Sequence, residues 1–77
     1  MLDPKIVGYV LKRIRESKGL SPEVVSGLAD IGRTHLSAIE RGVRKPTLET
    51  FFKIADALNM KASDIVKKIE DKIKNES

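Results

Sequence analysis

His35 is the only imidazole in the chain and there is no cysteine, so two side chains commonly used as nucleophiles and metal ligands are almost absent. One histidine without carboxylate or cysteine neighbours at ligand spacing does not make a metal site. The 11 acids are spread over what read as helix surfaces rather than paired, and no glycine-rich phosphate loop occurs. The expectation is therefore a protein that is not an enzyme and takes no metal or cofactor. What remains is cationic chemistry. Lysine and arginine number 15, the formal charge is +4, and Arg33, Arg41, Arg44 and Lys45 crowd into one short stretch. A modest basic excess favours a polyanionic partner without identifying it.

These groups need a scaffold. A chain of 77 residues is long enough for one compact domain and too short for two, and it buries only about 60% of its unfolded surface. With no disulfide to staple it, stability must come from helix packing, which self-association can extend. Asp3-Pro4 announces a first helix, ended at Lys18-Gly19, with Leu11 and Ile14 on its inner stripe. Ser21-Pro22-Glu23 repeats the start signal for a second helix, with Val25, Leu28 and Ala29 inward, and the pattern breaks at Asp30-Ile31-Gly32. The third helix runs from Arg33 to about Arg41, with Leu36 and Ile39 inward and Gly42 just past its end. After a loop through Pro46, Thr47 caps a fourth helix expected to bury Leu48, Phe51, Ile54, Ala55 and Leu58 and to end at Asn59. A fifth spans 62–74, with Ile65, Val66, Ile69 and Ile73 apolar, before the tail frays towards Ser77. No alternating run reads as a strand, so the expected class is all-α, one domain over 1–77. No apolar run approaches the roughly 20 residues of a membrane helix, and no secretory signal is evident, so a soluble cytoplasmic protein is expected.

Helices two and three, joined by a three-residue break, have helix-turn-helix spacing, and such a unit can present its second helix to a major groove. Bundles that bind nothing use the same short turns, so geometry alone leaves both readings open.

The residues themselves add more. Gly19-Leu20-Ser21, Val25, Leu28-Ala29, Ile31, Leu36-Ser37, Ile39-Glu40-Arg41-Gly42, Arg44, Pro46-Thr47-Leu48-Glu49-Thr50 and Ile54-Ala55-Asp56-Ala57-Leu58-Asn59-Met60 form a pattern. It resembles the Cro/phage-repressor (XRE) helix-turn-helix family over about Gly8 to Ile65. The resemblance implies a compact five-helix lambda-repressor-like domain that binds double-stranded DNA. Four positions depart from the family pattern: Pro22 replaces a glutamine that often touches the DNA backbone, Ser26 a small alanine, Asp30 a common turn glycine, and Gly32 a hydroxyl cap.

By the same resemblance, Arg33, Thr34, Ser37 and Ala38 read base edges from the outward side of the third helix. Arg33 suits guanine, Thr34 and Ala38 a thymine methyl, and Ser37 several bases. Ser21, His35, Arg41, Arg44 and Lys45 are implied phosphate contacts, which fix register and supply salt-dependent affinity. Lys12 and Arg13 are further, weaker phosphate candidates. Arg15 and Glu40 match a pair that ties the first helix to the third.

One recognition helix reads only a few base pairs, so a homodimer on half-sites roughly 34 Å apart is expected. Phe52, Val66, Ile69 and Ile73 are the apolar candidates for its interface, with the helix over 62–74 supporting dimerisation. The functional expectation is a repressor of the nucleoid, binding a palindromic operator, with no small-molecule ligand. The rival is a helical protein-interaction or antitoxin-like module using the apolar face of the fifth helix.

Overall fold

The computed structural model describes residues 2–76; Met1 and Ser77, the last residue of the expected fraying tail, lie outside the described residues. Five helices follow one another: α1 (Pro4–Ser17), α2 (Pro22–Ala29), α3 (Arg33–Glu40), α4 (Leu48–Ala57) and α5 (Ala62–Asn75). No strand occurs among the described residues.

Local chemistry sets the boundaries. The side chains of Asp3, Ser21 and Thr47 accept hydrogen bonds from the backbone N–H groups of Lys5, Val24 and Thr50, at 2.9, 3.2 and 3.1 Å. Each satisfies a donor that the first helical turn leaves without an intrahelical partner. At α3 the cap is Gly32, which offers no side-chain acceptor. The other ends turn on left-handed residues: Asp30 (φ 55°) closes α2 and Asn59 (φ 56°) follows α4. Aspartate and asparagine tolerate this region better than other non-glycine residues, so the short α2–α3 turn forms without glycine at position 30.

One core joins all five helices. Val7, Leu11 and Ile14 from α1, Val25 and Ala29 from α2, Leu36 and Ile39 from α3, Phe51 and Ile54 from α4, and Ile65 and Ile69 from α5 are all buried in it. Tyr9 of α1 also holds α5, with the Lys72 ammonium 4.6 Å from its ring centroid.

The sorting of apolar residues differs from the sequence expectation at three positions. Leu28, expected to face inward on α2, is 67% exposed, because α2 turns Val25, Ser26 and Ala29 towards its neighbours. Leu48, expected in the buried face of α4, is 73% exposed at the first position of that helix. Ile69, expected on a dimer surface, is a core residue, because α5 packs on α1 and α4 through Ile65 and the position one turn later.

Candidate nucleic-acid interface

The face of α3 that carries the candidate base readers is defined by what the opposite face does. Leu36 and Ile39 have no exposed surface, and they fix the rotation of an eight-residue helix about its own axis. Arg33, Thr34 and Ser37 are then exposed, and Ala38 and His35 are half-buried at the edges of the same face. Arg33, Ser37 and Arg41 repeat at four-residue intervals, so they form one row roughly 12 Å long. Arg44 and Lys45 stand exposed in the loop that follows. Ser21, on the turn before α2, uses its oxygen as a cap acceptor and keeps its hydroxyl proton available for donation.

A network at the far end of α3 locks this face in place. Arg15 Nε donates to Glu40 Oε2 at 2.8 Å and Nη2 to Glu40 Oε1 at 3.0 Å, a bidentate pair between α1 and α3. Arg15 Nη1 donates to the Leu20 carbonyl at 2.9 Å, so the loop before α2 is held by the same guanidinium. Both side chains are about nine-tenths buried. The hydrogen bond to Glu40 raises the Arg15 pKa against the opposing effect of burial, and the arginine stays charged.

Two glycines allow α1 to approach so closely. A Cβ built on Gly8 would overlap the Ile39 carbonyl oxygen and lie 2.7 Å from that of Glu40. Gly42, in the left-handed region at φ 76°, passes the Lys5 Cα so tightly that a Cβ would sit 2.6 Å away. Ser26, where the resemblance implies alanine, is buried with its hydroxyl donating to the Glu23 carbonyl at 3.3 Å.

Sequence reasoning did not anticipate one contact at the site. Glu23 Oε2 lies 3.1 Å from Arg33 Nε, joining the first turns of α2 and α3 across the turn. Gly8 adds a second such feature, and its signal in the sequence is a glycine inside a helical pattern, which marks a close approach.

Away from α3, an apolar groove runs between the N-terminal segment, the loop before α4, α4 and α5. Leu2, Val7, Leu48, Phe51 and Val66 line it, with Ile69 among its walls. Phe52, Val66 and Ile73 have 52%, 44% and 39% of their surface exposed, so three of the four interface candidates lie at the surface and Ile69 does not.

The family model described as helix-turn-helix matches residues 11–65, which span α2, α3 and α4 and parts of α1 and α5. The chain belongs to the helix-turn-helix family of DNA-binding transcriptional regulators. Among its relatives is the HTH-type transcriptional regulator y4dJ of Sinorhizobium fredii, 37% identical over 62 residues, covering 80% of each chain. The control protein C.BamHI of Bacillus amyloliquefaciens is 36% identical over 62 residues, 79% of this chain and 76% of its own. Among solved structures, the restriction-modification controller protein C.Esp1396I, as a tetramer in complex with its natural 35 base-pair operator, superposes with a TM-score of 0.87. That match has 26% identity and covers 95% of this chain and 96% of the other. Among the described residues no group of acids and histidines could hold a metal ion, and no helix is long and apolar enough to cross a membrane.

Proposed function

We propose that the protein represses transcription by binding a palindromic operator as a homodimer, with α3 of each protomer in the major groove. The observation that carries this reading is the polar face of α3, held outward by Leu36 and Ile39 and clamped at its far end by Arg15 and Glu40. Arg33, Thr34, Ser37 and Ala38 read base edges. Ser21, His35, Arg41, Arg44 and Lys45 meet the phosphates on either side. Base contacts of this kind discriminate by about 1–3 kcal/mol per good bidentate pair, whereas phosphate contacts set affinity and register.

Residues 1–77 act as one binding unit, and the apolar groove with Phe52, Val66 and Ile73 forms the twofold interface, supported by the helix over 62–74. A similar structure, that of a restriction-modification controller protein bound to its operator as a tetramer, supports assembly on DNA. The protein works in the cytoplasm, at the nucleoid.

A second reading, a protein-interaction module docking through the same groove with α3 idle, is favoured only by the apolar lining of that groove. Gel shifts against duplex DNA at two salt concentrations separate the two. The regulator binds saturably and loses affinity as salt rises, because each phosphate contact releases counterions. Absence of binding at low salt leaves only the interaction module.

A further inference from the structure

We propose that Glu23 is a positioning residue that sets specificity, by holding the Nε edge of Arg33 so that the arginine meets a guanine and not a phosphate. The inference rests on reading Arg33 as a base reader and adds to it the control of its geometry.

Arg33 opens α3 at the positive end of the helix dipole, where a cation is disfavoured, and Gly32 supplies no capping side chain to offset it. The offsetting charge comes from another helix. Glu23 sits in the first turn of α2, where an acid suits the dipole, and reaches Arg33 Nε at 3.1 Å. Stability does not explain this arrangement, since both side chains are some 60% exposed or more and exposed pairs contribute little to folding.

What the contact does change is the set of donors left over. A guanidinium carries five N–H donors, one on Nε and four on the two Nη atoms. With the Glu23 carboxylate paired as an ion at the Nε side, the end formed by Nη1 and Nη2 stays open, and its spacing matches O6 and N7 of guanine. The carboxylate also restrains a flexible side chain before binding and places a negative charge beside it. A guanine edge accepts the projecting end past that charge, whereas a phosphate that approaches the arginine freely is repelled. Glu23 thus lowers affinity for unrelated sequences and raises the ratio that matters for finding a site.

The test is a double-mutant cycle on binding, read by fluorescence anisotropy. Wild type, Glu23→Gln, Arg33→Ala and the double variant are titrated with the preferred duplex, with the same duplex bearing a substitution at the arginine-read guanine, and with an unrelated duplex. Glu23→Gln is expected to lower discrimination at that one base pair roughly tenfold, to bind unrelated DNA more tightly, and to melt within about 2 °C of wild type. In the Arg33→Ala background the same substitution should leave discrimination at that pair unchanged. The proposal is overturned if Glu23→Gln keeps the wild-type discrimination, or lowers it equally with and without Arg33. If Arg33→Ala itself changes no preference, the base-reading assignment fails and the Glu23 proposal falls with it, an outcome distinct from failure at Glu23 alone.

Discussion

Gly8 on α1 and Glu40 on α3 meet backbone to backbone: a Cβ on the glycine would lie 2.7 Å from the Glu40 carbonyl oxygen and would overlap that of Ile39. The crossing of α1 over the end of the recognition helix therefore exists only because position 8 has no side chain.

Two effects of opposite sign compete in Gly8→Ala. Alanine favours the helix interior by about 1 kcal/mol over glycine. The overlap is with backbone, which cannot swing aside as a side chain would, and overpacking of this kind costs about 3 kcal/mol or more. The clash wins, so thermal denaturation should show a melting temperature at least about 8 °C below wild type.

Arg15 and Glu40 give a second stability prediction, this one asymmetric. Glu40→Ala leaves a buried guanidinium with only the Leu20 carbonyl as partner, and loss of one member of such a pair costs about 3–5 kcal/mol. Replacing both partners together, Arg15→Met with Glu40→Leu, removes both charges and should recover much of that loss in urea denaturation. A single and a double variant of equal stability would mean that the pair is not the clamp described.

Arg44 and Arg33 should differ in kind. Arg44→Ala is expected to weaken binding to every duplex by a similar factor and to reduce the slope of log affinity against log salt by about 0.9. Arg33→Ala should change which sequences are preferred. Parallel titrations at several salt concentrations check both.

At the groove, Val66→Glu places a charge on an exposed apolar position without disturbing the core. Analytical ultracentrifugation should find the variant monomeric at concentrations where wild type is dimeric, with unchanged helical content. Its operator affinity should fall, because a monomer presents a single recognition helix.

Much of this architecture is legible in the residues. Helix starts are written in Asp3-Pro4, Ser21-Pro22 and Thr47, because capping is a local reaction between a side chain and the backbone two or three residues on. The outward face of α3 follows in the same way, since its only large apolar residues, Leu36 and Ile39, sit three apart. Leu28, Leu48 and Ile69 show where local reasoning stops. Periodicity tells which residues share a stripe, but the width of the stripe that is covered depends on the crossing of neighbouring helices, which no short window contains. The Glu23 to Arg33 contact was hidden for a related reason. It spans two helices, and only the left-handed turn at Asp30 brings their first turns together.

The central claim is that the exposed face of α3, led by Arg33, enters the major groove of a symmetric site. Selection of bound sequences from a randomised duplex pool, run with wild type and with Arg33→Ala, tests it most directly. The account predicts an inverted repeat with half-site centres about 10 base pairs apart and a guanine in each half whose enrichment disappears in the variant. Enrichment of no symmetric sequence, or the same guanine in both pools, would contradict it.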